Sequence, residues 1–214
     1  MTITRRSLIK RTSALAVTAF ALTSITPPLA NAQGVDETLL LQAGPLGDVS
    51  LGSEDAPVTV VEYASMTCSH CASFHNNTFK AFKEKYIDTG KVRFIFREFP
   101  LDNTAAAASM LARCAPKDKY FDVTGLMFEE QKKWAFTSDP YGALINLGKQ
   151  IGFTEKQVKD CLSDQTILNG IVSVRDVAAN KLGVQSTPTF FINGERVPGA
   201  LSLEELSEHV DKDL

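Results

Sequence analysis

The chain is short of the parts that most metal, nucleic-acid and membrane functions need. Its 214 residues hold four cysteines and three histidines, with one CxxC motif, no second CxxC and no HxxxH pair. Tetrahedral zinc wants four ligands, so a zinc corner is disfavoured. Beyond the first eleven residues there is no basic cluster, and 22 Lys and Arg against 25 Asp and Glu give the whole chain a net charge of −3, which argues against a nucleic-acid partner. No internal repeat or low-complexity tract is present. Also missing is a run of about 20 strongly apolar residues, the length that crosses a bilayer. The nearest candidate, the uncharged run Thr12 to Val35, is interrupted by Thr18, Thr23, Ser24, Pro27 and Pro28.

That run has the parts of a removable export signal instead. Arg5, Arg6, Lys10 and Arg11 form a basic n-region, Ala14 to Leu22 an apolar core, and Ala30-Asn31-Ala32 a small-residue cleavage site. The competing reading is a membrane anchor. Thr4-Arg5-Arg6-Ser7-Leu8-Ile9-Lys10 also resembles the twin-arginine export signal, although a plain basic n-region looks the same. Cleavage after Ala32 leaves 182 residues, enough for one domain or a domain with an insertion. It removes four positive charges and takes the net charge from −3 to −7. All four cysteines remain and meet an oxidising compartment, where paired sulfurs are the default.

Cys68-Ser69-His70-Cys71 carries the chemistry. CxxC alone is a weak signal, but here it directly follows the strand-like run Val58 to Tyr63 and starts a helical segment. Cys68, at the helix start, is the expected nucleophile, because backbone N–H groups and the helix dipole favour its thiolate there. A protonated His70 would add a positive neighbour. Cys71, one turn further in, is the expected resolving thiol. Moving a thiol from a pKa of about 8.5 to about 3.5–7.5 favours the reduced, ionised form by roughly 1.4 to 7 kcal/mol. Such a shift makes the disulfide a stronger oxidant.

The rest of the chain alternates between strands and helices. Gln33 to Asp55 is a polar lead-in with a short strand expected at Asp48 to Leu51. Val58 to Tyr63 is a buried strand, Phe74, Phe79, Phe82 and Tyr86 recur at roughly helical spacing, and Val92 to Phe96 returns to a strand. Strand, helix, strand implies a parallel pair joined by a right-handed crossover. A helical block of about 80 residues follows, with helices expected over Ala105 to Ala115, Lys119 to Gln131, Pro140 to Gly152 and Ile167 to Leu182. Thr154 to Gln157 is a capping-box pattern. Thr189 to Ile192, Asn193-Gly194 and Glu195 to Val197 form a hairpin pattern, and Ser202 to Glu205 caps a last helix.

This order, with Cys68-Ser69-His70-Cys71, Thr187-Pro188 and Asn193-Gly194 in sequence, resembles the DsbA-like branch of the thioredoxin fold. The resemblance covers about Pro57 to Leu214 and implies an α/β thioredoxin fold with an inserted all-helical domain. The expected parts are an export signal over 1–32, a lead-in over 33–55, core over 56–101 and 184–214, and the insertion over 102–183. It implies that Pro188 takes the cis form opposite the CxxC, keeps Cys68 from trapping metal, and leaves the Thr187 backbone to receive an extended substrate peptide. Glu62, six residues before Cys68, matches the family's buried acid and is expected to shuttle the proton of Cys71. A strand-end carboxylate facing solvent is the plainer reading. His75 stands where many relatives carry an acid, and it is read as structural. His209 is read as a surface residue.

Cys114 and Cys161 both lie on inward-facing helical positions, where two free buried thiols are one reading. Resemblance to alphaproteobacterial members of the family implies a structural Cys114–Cys161 bond inside the insertion. For the whole chain it implies a monomeric periplasmic dithiol oxidase. Reduced exported proteins would be its substrates, a DsbB-like membrane quinone reductase would reoxidise it, and no cofactor or metal is expected. Two alternatives remain. Relatives that isomerise or reduce disulfides often carry Thr before the proline, as Thr187 does here, but they usually have a dimerisation region for which Gln33 to Asp55 is too short. A non-enzymatic metal-binding protein using Cys68, His70 and Cys71 lacks a fourth ligand.

Overall fold

Side chains alternate across a strand, and here that alternation decides which residues lie under the CxxC helix. Five strands, β1 (Val49–Leu51), β2 (Val58–Ala64), β3 (Val92–Glu98), β4 (Thr189–Ile192) and β5 (Glu195–Pro198), lie in the order β1-β3-β2-β4-β5. The computed structural model describes residues 35–214, and the export signal expected over 1–32 lies outside them. β2 and β3 pair in parallel, and the other neighbours pair antiparallel. Both central strands are near-continuous apolar runs because both their faces are covered.

One face carries Val58, Val60, Ala64, Phe94, Phe96, Phe190 and Ile192 into the larger core. The other carries Val61, Tyr63, Ile95 and Phe191 into a second core. Period two therefore puts Glu62 and Glu98 on the first face and Arg97 on the second, so three charges are delivered to buried positions. Glu62 sits in the middle of the sheet, opposite Phe96 of β3 and Phe190 of β4.

The crossover from β2 to β3 covers the first face. It begins as α2 (Ser69–Phe74), widens into a π-helical turn over His75–Phe79, tightens through α3 (Lys80–Phe82) and widens again over Lys83–Ile87. The sequence predicts one helix here; the wide turns are the difference. Their cause is visible in the spacing, since Phe74 and Phe79 are five residues apart and a π turn brings residues at that interval onto one side. Their rings meet at 6.2 Å.

The insertion contains six α-helices and a short 3-10 turn, Lys117–Lys119. The α-helices are α4 (Asn103–Cys114), α5 (Tyr120–Glu129), α6 (Gln131–Trp134), α7 (Pro140–Gln150), α8 (Glu155–Leu162) and α9 (Gln165–Lys181). Thr154 and Gln157 form the expected capping box, and Asp139 with Pro140 starts α7. The stretch expected as one helix over Lys119 to Gln131 breaks at Glu130 into α5 and α6. Glu98 fixes the insertion to the sheet: its carboxylate receives two bonds from Arg113 of α4 and one from the Tyr120 hydroxyl at 2.7 Å. Such a buried pair holds only while both partners are present. α9 crosses to the second face, where Val174, Ala178 and Leu182 pack on Tyr63 and Phe191.

The lead-in holds a helix that the sequence does not announce, α1 (Glu37–Leu41), capped by Asp36. Five residues are too few to show a helical period, and its position comes from tertiary contacts. Arg97 donates to both oxygens of Asp48 at 2.9 Å, to the Leu40 carbonyl at 2.6 Å and to the Gln42 carbonyl at 3.1 Å. The chain closes with the β4–β5 hairpin. Asn193 and Gly194 both take positive φ, 43° and 84°, as a tight two-residue hairpin turn requires. Ser202 caps the last helix, Leu203–Val210. Among the described residues no helix is long and apolar enough to cross a membrane.

Candidate active site

The parallel β2 ends at Ala64, and the chain turns through Ser65, Met66 and Thr67 to put Cys68 at the N-cap of α2. Cys68 is half-buried, Cys71 is fully buried, and the pair stands in the dithiol form. The Cys68 sulfur donates to the Thr187 carbonyl at 3.2 Å, and the Thr187–Pro188 bond is cis. Thus the helix start and the loop before β4, 119 residues apart in sequence, meet at one sulfur.

The two thiols are driven in opposite directions. Cys68 is lowered from 9.0 to about 5, first because the Cys71 thiol donates to its sulfur. Burial works against this, while the Thr187 side chain and the backbone N–H groups of Cys71 and His70 support it. The Thr187 hydroxyl has no protein partner in the dithiol form, so its proton is free to turn to a thiolate. His70 itself is exposed and reaches the sulfur through its backbone. Cys71 is pushed far upward, above all by burial, then by Cys68 and by the charge of Glu62.

These directions fix a pH dependence. Alkylation of Cys68 by iodoacetamide should be half-maximal near pH 5, with Cys71 unlabelled through neutral pH; half-maximal labelling near pH 9 would contradict the assignment. A folded-state pKa below the unfolded one stabilises the fold above the unfolded value. The contribution of Cys68 to the reduced protein is therefore complete above about pH 9 and lost as pH falls through about 5.

Beneath Cys71 the structure does something the sequence does not indicate. Glu62, expected either as a buried acid or as a solvated strand end, is fully buried, and its Oε2 lies 2.9 Å from Nε2 of His75. The imidazole is stacked on Phe128 at 4.4 Å and touches Phe79 and Phe96. His75, read as structural, is thus the direct partner of the acid. Glu62 Oε1 is buried without a protein partner. Glu62 lies on β2 and His75 follows α2, so the contact joins two elements and a helical wheel drawn from Ser69 cannot show it.

Gln131 is the other residue that sequence reasoning misses. Buried on α6, it donates from Nε2 to the carbonyls of Met66 at 2.8 Å and Cys68 at 3.0 Å, so the insertion grips the loop that presents the nucleophile. Asp102 grips it from the start of α4, accepting from Thr67 at 2.6 Å and from the Ala105 N–H at 2.7 Å. A glutamine in a four-residue helix carries no signal of such a role. Cys114 and Cys161 are joined, tying α4 to α8 within the insertion, and take no part in the cluster around Cys68. His209 lies near Glu195, 3.3 Å from its Oε2. Among the described residues no group of three or more His, Cys, Asp or Glu side chains is arranged to hold a metal ion.

Comparison with known proteins gives the arrangement its relatives. A family model described as Thioredoxin matches residues 46–212. The crystal structure of alpha-DsbA1 from Wolbachia pipientis superposes with a TM-score of 0.75 and 34% identity, covering 81% of this chain and 94% of that one. A Rickettsia felis protein provisionally described as a protein-disulfide oxidoreductase is 34% identical over 168 residues, which are 78% of this chain. The match spans only 60% of that protein's length. Disulfide bond formation protein D of Bacillus subtilis is 28% identical over 173 residues, 78% of either chain.

Proposed function

The chain belongs to the DsbA-like family of the thioredoxin fold, and we propose that it is a periplasmic thiol:disulfide oxidoreductase that donates its Cys68–Cys71 disulfide to exported proteins as they fold. The observation that carries this reading is the opposition of the two sulfurs: a half-buried Cys68 that ionises at about 5 above a buried Cys71 held as a thiol.

The reaction follows from that opposition. A substrate thiolate attacks Cys68 Sγ, the Cys68–Cys71 bond breaks, and Cys71 leaves and takes up a proton. A mixed disulfide now joins Cys68 to the substrate. The second substrate thiolate attacks the substrate sulfur of that bond, forming the substrate disulfide and releasing Cys68 as a thiolate. Two electrons pass from the substrate dithiol to the protein. A leaving thiolate of low pKa departs readily, which favours donation of the disulfide. The Thr187 carbonyl and N–H beside Cys68 supply an edge on which an extended peptide can lie.

The export signal expected over residues 1–32 supports the periplasm as the compartment, by the twin-arginine or the general route. Reduced exported proteins are the substrates in this reading. A DsbB-like membrane quinone reductase restores the disulfide, and the protein acts as a monomer without a cofactor, metal or nucleic-acid partner. To test the reading, the oxidised protein is mixed with a reduced peptide bearing two thiols. One peptide disulfide should form for each Cys68–Cys71 disulfide lost. Strong isomerisation of scrambled disulfides with negligible net oxidation would assign the isomerase role instead.

A further inference from the structure

A short loop, Ser65 to Thr67, carries the chain from the end of β2 to Cys68, and it must be held if the sulfur is to meet its partners. Within the loop the Cys68 N–H donates to the Ser65 carbonyl at 3.1 Å. The Met66 and Cys68 carbonyls instead accept from outside, both from Nε2 of Gln131, at 2.8 and 3.0 Å. A side-chain amide nitrogen carries two hydrogens, and here each has its own carbonyl. Gln131 is 3% exposed, so these bonds lie out of water. Among the described residues the Met66 carbonyl has no other donor. The Cys68 carbonyl also receives the Ala72 N–H at 3.1 Å, so Gln131 holds the carbonyl on which the CxxC helix starts.

α6 is itself fixed. Its buried Trp134 donates the indole N–H to the Met127 carbonyl of α5 at 2.8 Å, and Asn76 of the crossover donates to the Phe128 carbonyl at 3.2 Å. Asp102 reaches the same loop only through the Thr67 side chain and leaves both carbonyls to Gln131.

We infer that Gln131 is a positioning residue for the nucleophile: by tying the Met66 and Cys68 carbonyls to the insertion, it keeps the Cys68 sulfur where Thr187, Cys71 and the helix-start N–H groups reach it. The inference rests on the oxidoreductase reading and deepens it, because the reactivity of a sulfur on the thioredoxin core is then set from the inserted domain. The groups that favour the Cys68 thiolate are the Cys71 thiol, the Thr187 side chain and the N–H groups of Cys71 and His70. Each acts by hydrogen bonding, which weakens steeply with distance and angle, so a displaced loop loses several of them together. Removing the amide strands the Met66 carbonyl in a buried place, and that desolvation penalty drives the loop toward another arrangement. The titratable groups about the sulfur are Cys71 and the exposed His70 on α2, Glu62 beneath Cys71 on β2, and Asp102 on the loop from the start of α4. Gln131 carries no charge, so replacing it by a neutral residue reads position alone.

The test is the pH profile of Cys68 alkylation by iodoacetamide in the reduced full chain. Gln131→Met, similar in length but without a donor, should raise the half-maximal pH from about 5 by about one unit, a tenfold loss of thiolate at a given lower pH. Its equilibrium with glutathione should move about tenfold toward the oxidised form, a potential about 30 mV lower. The variant carrying both Cys114→Ala and Cys161→Ala controls for lost stability, since it loosens the insertion and leaves the amide in place. Its midpoint should stay at about 5. A Gln131→Met midpoint within about half a unit of native would overturn the proposal, as would an equal rise in the control. Should Gln131→Met not fold, NMR of the native protein decides. The Gln131 side-chain amide should exchange with solvent at least about tenfold more slowly than that of an exposed glutamine, and its resonance should titrate with the Cys68 midpoint. Exchange at the exposed rate, or a resonance indifferent to that midpoint, would contradict the grip. A midpoint that rises as expected in Gln131→Met, in a protein whose native form never oxidises a two-thiol peptide, would defeat the functional reading and leave the positioning role standing.

Discussion

Cys68→Ser should abolish disulfide transfer to a reduced two-thiol peptide, while reduced Cys71→Ser, offered the disulfide-linked dimer of a one-thiol peptide, should accumulate a stable mixed disulfide at Cys68 and release one peptide thiolate. The asymmetry comes from position. Cys68 caps α2, is half-buried, and is held near a pKa of 5 by the Cys71 thiol and the helix-start N–H groups. Cys71 is fully buried and favoured as a thiol, so it cannot meet a substrate first. A serine at 68 leaves no accessible sulfur to attack. A serine at 71 leaves the nucleophile but removes the intramolecular escape from the mixed disulfide. Mass spectrometry of non-reduced mixtures reads both outcomes. Peptide trapped on Cys71, or preferential labelling of Cys71, would reverse the assignment.

The second large effect lies away from the chemistry. Replacing both Cys114 and Cys161 with alanine should cost about 4 kcal/mol of stability in the chain-entropy account and lower Tm by about 8–16 °C. The bond spans a sequence separation of 47 between α4 and α8, so the unfolded chain regains a long loop's freedom when it is removed. Oxidation of the two-thiol peptide should persist, since this pair lies outside the cluster around Cys68. Calorimetry and the peptide assay on the same variant decide the matter. Unchanged stability, or peptide mapping that links either cysteine to Cys68 or Cys71, would contradict the structural role.

Local signals made much of the fold legible. The apolar run Val58 to Tyr63, the helix punctuation at Pro140 and Thr154, and Asn193-Gly194 each encode geometry within a few residues. The chain order of CxxC, helical block and Thr187-Pro188 points to a thioredoxin fold with a helical insertion, and the matched family has that architecture. What stayed hidden depends on contacts between distant segments. The helix Glu37–Leu41 is fixed by Arg97, more than 50 residues away. Gln131 acquires its place only when α6 meets the Met66 and Cys68 carbonyls. His75 reads as structural along the chain because its partner Glu62 lies 13 positions earlier on a strand, and no local pattern signals that contact.

The central claim is that this protein gives its disulfide away, and the equilibrium potential of Cys68–Cys71 against glutathione tests it most directly. Stabilisation of the reduced form through a Cys68 thiolate predicts a potential well above the about −270 mV of thioredoxin, toward the about −120 mV of DsbA, with the reduced protein melting above the oxidised one. A potential at or below about −270 mV, or an oxidised form that melts later than the reduced form, would contradict it.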